Sequence, residues 1–230
     1  MMSLKITAFL AVLFVAAASA VVAQANGQAQ QSATPTVEAM MIRTNSISAD
    51  RAQNMLALSY TAAAIERGNV DGEVMPALER LVMVGLRSRT VAGGRVANNF
   101  PDVRREAARQ LGLVGTEEAR NILIQVIAFE NEPIALQEMI TSIGAIESDD
   151  NSLAVTAIVR TAGRWHRSPA PSNHVALATI NALERISGRD GGITNANAFQ
   201  YLFDVARGPY IPVVRARANE VLDSQREHAQ

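Results

Sequence analysis

The chain has 230 residues, with 21 Lys plus Arg against 22 Asp plus Glu and a formal net charge of −1. A charge balance this close to zero argues against nucleic acid or another polyanion as the partner. The sequence contains no cysteine, which excludes structural disulfides and the lipid-modified cysteine of a bacterial lipoprotein. Only 4% of the residues are aromatic, so small aliphatic side chains must fill the core, and these favour closely packed helices.

An apolar segment begins just after a single cation, Lys5, and spans residues 6–18. Small residues follow it, as in a secretory signal peptide. Small residues also permit cleavage at three sites, after Ala20, Ala23 or Ala25. We favour the last, which makes residues 1–25 the signal peptide and predicts an exported protein, periplasmic or extracellular, with no membrane span after cleavage. The alternative is an uncleaved anchor, because the apolar stretch approaches the roughly 20 residues that cross a bilayer.

Residues 26–46 are rich in Gln, Ala, Ser, Thr and Asn, and their apolar residues are scattered. Such a composition predicts a flexible leader. The helical signals begin after it, so we expect a helical repeat domain over residues 47–228.

Two helices are predicted first in this domain. Ser48 and Asp50 offer capping groups ahead of one apolar ladder, made of Met55, Leu58, Ala62 and Ile65. The second ladder consists of Val74, Leu78, Leu81 and Val82. Residues 87–100 contain paired glycines and asparagines, which predict a long connection without an element of its own.

Four further helix-length ladders begin at Val103, Ala135, Val175 and Val214, at steps of 32, 40 and 39 residues. A repeating two-helix unit is the simplest interpretation, and such a unit must cover its apolar face with its neighbours. The last unit ends in a polar tail, as the end of an array requires.

The first two of these units match position by position. Pro133 repeats Pro101, and Gly144 repeats Gly112. We expect Gly112, with Gly115, to end the first helix of its unit. The third unit has no glycine at the matching position.

Residues 101–112, PDVRREAARQLG, resemble the first helix of a HEAT repeat, in particular the short bacterial type also seen in phycobilisome lyases. The resemblance implies an all-α fold, a right-handed α-solenoid in which the second helix of each pair lines a concave, partner-binding face. It implies a scaffold, adaptor or regulatory role and no chemistry of its own.

The segment 163–171 carries the only tryptophan of the chain, Trp165, between Arg164 and Arg167. Trp and Arg are frequent anchors of protein interfaces, so this segment is a candidate partner-binding loop. The alternative is that Trp165 folds back over a helix end while both arginines stay solvated.

Further candidates lie off the apolar stripes of the presumed second helices: Arg120, Gln125, Arg160, Gln200 and Tyr201. They show no single charge sign, which suits a protein surface or a peptide better than nucleic acid.

Catalytic or metal chemistry would require convergent His, Cys or carboxylate groups. The three histidines, His166, His174 and His228, form no i, i+4 pair, and we assign no catalytic, cofactor or metal site. The sequence therefore predicts an exported scaffold or adaptor that binds another protein. The alternatives are a lyase or carrier for bilin or another small molecule, and a structural component of an envelope assembly. The sequence leaves the partner and the oligomeric state open.

Overall fold

The computed structural model describes residues 36–87 and 89–228. The predicted signal peptide and most of the predicted leader lie outside this range. Within it, ten α-helices and one very short β-hairpin are found. The helices are α1 Val37–Ser46, α2 Arg51–Glu66, α3 Val74–Val82, α4 Pro101–Val114, α5 Glu117–Val126, α6 Pro133–Ala145, α7 Ser152–His166, α8 Asn173–Asp190, α9 Ala196–Arg207 and α10 Pro212–His228. The predicted all-helical class is confirmed.

Helix α1 corrects the prediction of a flexible leader up to residue 46. Its only buried apolar side chain is Ile42, which explains why no ladder marked it in the sequence. Polar contacts hold its end instead. The side chain of the fully buried Asn54, in α2, donates to the carbonyl oxygens of Asn45 and Ser48, each at 3.0 Å. Ordered structure therefore begins before the predicted domain boundary.

Residues 87–100 also differ from the prediction. They contain the hairpin of β1 (Val91–Ala92) and β2 (Arg95–Val96), paired antiparallel. Next to it, the Asn98 side chain accepts a hydrogen bond from the backbone N–H of Thr90 at 2.9 Å. A side-chain contact of this kind leaves no periodic pattern, so no strand was predicted here.

The helices are arranged in two layers. The first-helix layer contains α2, α4, α6, α8 and α10, and the second-helix layer contains α3, α5, α7 and α9; each helix contacts its successor in its own layer. Helix α1 packs on α2 and α3. In the described part of the chain, every helix–helix contact joins helices that are one or two places apart. The contacts of α6 with α4 and α8 are the most extensive, so packing is tightest in the first-helix layer.

The four predicted ladders form the core. Val103, Ala135, Val175 and Val214 are all buried, and each lies near the start of a first-layer helix. The buried apolar residues form two clusters, one extending from α1 to α8 and one from α7 to α10. Helices α7 and α8 contribute to both, because their opposite faces pack on different neighbours.

Gly112 and Gly144 do not end their helices, which corrects the prediction for Gly112. Both lie inside helices that continue to Val114 and Ala145. A Cβ added to Gly112 would lie 2.9 Å from the Cβ of Ser142, and one added to Gly144 would lie 2.8 Å from the Cα of Ala182. These glycines therefore allow α4, α6 and α8 to approach closely.

The third unit has Glu184 at the position of this glycine, so its contact with the next first-layer helix is of a different kind. Glu184 on α8 forms an ion pair with Arg217 on α10, and Arg217 also pairs with Glu220 at 2.9 Å. A charged pair at the helix surface needs more room than a glycine contact. Accordingly, the contact of α8 with α10 is less extensive than that of α6 with α8.

A buried ion pair joins two successive hairpins. The side chains of Arg104, on α4, and Glu130, just before α6, are 1% and 0% exposed. They form a bidentate ion pair, in which Arg104 donates from Nε at 2.6 Å and from Nη2 at 3.0 Å to the two carboxylate oxygens. Arg104 also donates to the carbonyl oxygen of Val84 at 3.1 Å and to the side chain of Asn99 at 2.9 Å. The carboxylate of Glu130 accepts backbone N–H groups at the start of α6. With its partners satisfied, the pair fixes how the hairpins meet.

Among the described residues, no helix combines the length and the apolar character that crossing a bilayer requires.

Replacement of Gly144 by Ala should lower the free energy of unfolding by about 1–3 kcal/mol, because the new methyl group presses on the backbone of Ala182. Gly188→Ala is the matched control: Gly188 lies in α8 with open space around it, and the change should add up to about 1 kcal/mol of helix propensity. Urea denaturation measures both. A Gly144→Ala variant as stable as the parent chain would show that α6 and α8 do not depend on this close approach.

Glu130→Ala should lower the free energy of unfolding by about 3–5 kcal/mol, because it leaves the Arg104 guanidinium buried without its counter-charge. The control Glu220→Ala removes an exposed partner of Arg217 and should change stability by less than about 1 kcal/mol. The pair Arg104→Met with Glu130→Leu should recover much of the loss. Equal effects of the two single alanine substitutions would contradict the role of the buried pair.

Candidate functional site

A groove of about 370 Å³ lies between α7 and α9 in the second-helix layer. Its lining includes four of the eight residues that the sequence singled out: Arg160, Arg167, Gln200 and Tyr201. The contact of α7 with α9 beside the groove is less extensive than that of α6 with α8 in the other layer. The groove is the place where the structure concentrates the predicted partner-binding residues.

The floor of the groove is an aromatic cluster. Tyr201 is 4% exposed and belongs to the C-terminal core cluster, which corrects its prediction as an exposed binding residue. His166, in the last turn of α7, shares a hydrogen bond of 3.0 Å between its Nδ1 and the hydroxyl of Tyr210. The His166 ring is stacked on Tyr210 at 5.7 Å and meets Tyr201 edge-on at 6.4 Å between centroids. This cluster ties α7 to α9 and to the turn before α10.

Burial disfavours the charged form of the two phenols in the floor. It raises the pKa of Tyr201 far above its usual value, and the neighbouring phenol of Tyr210 raises it further. Burial also raises the pKa of Tyr210. Both phenols therefore stay protonated well above the neutral range and add no negative charge to the groove.

The rim on α7 carries Arg160 and Arg167, both exposed. They lie seven residues apart, so their Cα atoms are on one face of the helix and about 10 Å from each other along its axis. Gly163 lies between them. The Arg167 guanidinium lies 3.3 Å from the position that a Cβ on Gly163 would occupy. Within the part of the chain that the structure describes, neither guanidinium has a carboxylate partner.

The rim on α9 is made of amides and one acid. Gln200 donates from its side-chain amide to Asp204 at 2.7 Å, and both line the groove. Asn195 caps α9 by accepting hydrogen bonds from the N–H groups of Asn197 and Ala198 at 3.0 and 3.2 Å. The groove thus offers two unpaired cations on one wall and amides on the other.

Arg120 is the clearest correction among the predicted site residues. It is 2% exposed and donates to the Ser148 hydroxyl at 2.8 Å, to the Asp150 carbonyl at 2.9 Å and to the Asn151 side chain at 3.0 Å. It also pairs with Glu117 at 3.0 Å. Arg120 therefore holds α5 to the loop before α7 and is not on a free surface.

The remaining three predicted residues lie outside the groove. Gln125 is exposed on α5 and lines a small cavity beside Phe129. Arg164 and Trp165 are part of α7, which runs to residue 166, so the first part of segment 163–171 is helical and not a loop. Arg164 donates to the carbonyl oxygen of Ala128 at 2.8 Å, and Trp165 packs, half-buried, against the larger core cluster. This placement of Trp165 fits the packing alternative, and its role in partner binding stays a prediction.

Sequence reasoning missed His166 and Tyr210 as a pair. His166 and Tyr210 are 44 residues apart in the chain, and their contact depends on how α9 turns into α10. The one available signal was the aromatic residue beside the prolines of the α9–α10 turn, which is ambiguous by itself. Among the described residues, no group of three or more His, Cys, Asp or Glu side chains is placed to hold a metal ion. Hydrogen bonding and charge are the chemistry that this groove offers.

The protonated Tyr201 gives a pH prediction. Above about pH 10 the unfolded chain releases this phenolic proton, while the folded chain retains it because its pKa is raised. The folded state then binds more protons, so the free energy of unfolding should fall as pH rises, by up to about 1.4 kcal/mol per pH unit. Urea denaturation from pH 9 upwards should show a shallower fall for Tyr201→Phe than for the parent chain. Phe199→Leu, a packing change in the same helix, should keep the parent slope; equal slopes for all three chains would contradict the assignment.

Comparison with known proteins gives no match to a protein-family model, a curated protein or a solved structure.

Proposed function

We propose that the chain is an exported α-solenoid of HEAT-like hairpins, wound as a right-handed superhelix, that acts as a scaffold or adaptor by binding another protein. The observation that supports this best is the order of its contacts: each described helix packs only on helices one or two places away. Repeat arrays are built in this way, because each unit covers its apolar face with its neighbours and leaves an extended surface for partners.

The second-helix layer is the surface that we assign to the partner. It carries the groove between α7 and α9, whose rim holds exposed Arg160, Arg167 and Gln200. Cations, amides and a carboxylate alternate there above an aromatic floor. Such a mixture is typical of protein interfaces, whereas nucleic acid would need a continuous cationic track.

Export is the part of the proposal that the N-terminal sequence supports. A cation, an apolar stretch over residues 6–18 and small residues follow one another in the order of a secretory signal. A fold without cysteine also suits an oxidising compartment, since it carries no thiol to mispair.

Site-specific photo-crosslinking in intact cells tests the proposal. A photoreactive amino acid at Asn197 or Gln200, both exposed on α9, should give one adduct with the same protein, identified by mass spectrometry. The matched controls carry it at Arg105 or Thr141, which are exposed on the first-layer helices α4 and α6. These positions should not give that adduct, because they face away from the groove. Cell fractionation should recover the chain outside the cytoplasm.

Two results would contradict the proposal. If all four positions give the same set of adducts, the second-helix layer is not a specific surface. If none gives an adduct and the chain stays in the cytoplasm, an exported adaptor is the wrong function.

A further inference from the structure

We infer that the groove between α7 and α9 binds an extended peptide segment with acidic side chains, held by Arg160 and Arg167. This inference rests on the proposed function and gives the partner its chemistry. The argument starts from the two guanidiniums, which are exposed at the groove and have no carboxylate partner among the described residues. Several other arginines of the array are paired, for example Arg109 with Glu106 at 2.6 Å and Arg217 with Glu184. Exposed arginines without a carboxylate partner among the described residues also occur elsewhere, for example Arg185 and Arg215, but these two do not line the groove.

The spacing of the two cations fits a peptide. Arg160 and Arg167 are two helical turns apart, about 10 Å along α7. An extended chain advances about 3.3 Å per residue, so carboxylates two to four residues apart can reach one guanidinium each. The Arg167 guanidinium lies against Gly163, where no side chain stands in its way. The groove from Thr156 to Arg167 is about 16 Å long, enough for about five extended residues.

The opposite wall supplies groups that match a peptide backbone. The oxygen of Asn195 is occupied by the cap of α9, so its amide N–H groups remain as donors. Asn197 is exposed beside it, and Gln200 keeps its carbonyl oxygen as an acceptor while donating to Asp204. Amides of this kind can form hydrogen bonds with the backbone N–H and C=O groups of an extended segment. Arg160 and Arg167 then bind its acidic side chains.

The distribution of charge around the groove also determines where the acidic residues of the bound peptide can lie. Asn195 borders a second cavity, of about 390 Å³, whose lining contains Asp149, Asp150 and Asp190. These carboxylates disfavour an acidic ligand at that end. Within the groove, the one carboxylate of the lining, Asp204, lies on the α9 wall and accepts a hydrogen bond from Gln200. The acidic side chains of the partner therefore lie on the α7 wall, beside Arg160 and Arg167.

A selection with random heptapeptides displayed on phage, against the purified full chain, tests this inference. The selected peptides should be enriched in Asp and Glu, with two acids separated by two to four residues. A selected peptide, labelled with fluorescein, should bind the Arg160→Gln/Arg167→Gln variant at least tenfold more weakly, because each lost charged hydrogen bond contributes about a tenfold factor or more. A peptide with its acids changed to amides should lose binding to the same extent.

The matched control is Arg185→Gln/Arg215→Gln, which removes the same charge from exposed positions outside the groove. It should bind the peptide within about twofold of the parent chain, since such distant surface charges are screened by salt. Circular dichroism should give the same helix content for both double variants. Selected peptides without acidic enrichment, or equal binding by the two double variants, would overturn the inference. Displacement of the peptide by millimolar inorganic phosphate would also overturn it and assign the groove to small anions.

The two proposals fail differently. If the Gln200 crosslink to the cellular partner persists at full level in the Arg160→Gln/Arg167→Gln variant, the adaptor function stands and the acidic-peptide inference falls. If no cellular partner is crosslinked but acidic peptides bind in an arginine-dependent way, the adaptor function falls and the chemistry assigned to the groove stands.

Discussion

The close contact of successive first-layer helices governs the rest of this structure. Gly112 against Ser142, and Gly144 against Ala182, let backbones approach to distances that a single methyl group would prevent. The helices that follow α6 and α8 in the other layer, α7 and α9, make less contact with each other. The groove between α7 and α9 therefore lies in the layer opposite to these close backbone contacts. The composition is consistent with this close packing, because a core of small aliphatic side chains with few aromatic rings lets helices approach closely.

Two buried arginines complete the connection between hairpins. Arg104 reaches from α4 to Glu130 at the start of α6, and Arg120 reaches from α5 to the loop before α7. Apolar ladders alone can slide by one helical turn, because one aliphatic contact resembles the next. Each of these guanidiniums donates to several fixed acceptors, which leaves it few alternative positions, so the two residues help to define the register between units.

The sequence predicted the fold well where periodicity decides the outcome. The ladders from Val103, Ala135, Val175 and Val214 are buried first-layer helices, and the cap of α5 by Thr116 is present at 3.2 Å. Prediction failed where a single tertiary contact decides. Gly112 suggested a helix stop, although its reason is the approach of α6. The predicted stop at Gly115 is confirmed, since this residue caps α4 in the left-handed conformation. The polar α1 was missed because its hydrogen-bond partner lies in α2.

The candidate site was only half predictable for a related reason. Helical period separates the apolar stripe from the other positions, but it does not tell which of those positions meet the next hairpin. Arg120 and Tyr201 are both off the stripe in sequence and buried in the fold, whereas Arg160 and Gln200 are exposed. The difference depends on neighbours 30 or more residues away, such as Asp150 for Arg120.

The division of the apolar interior at α7 and α8 has a consequence for how the array comes apart. Two clusters that share only these two helices can open separately, so α9 and α10, which belong only to the smaller cluster, form a candidate cooperative unit whose amide protons exchange independently of the rest. A molecule lying across α7 and α9 would bridge that boundary and add its binding free energy to the stability of this unit. Occupancy of the groove would then slow exchange throughout the C-terminal segment, well beyond the residues it touches.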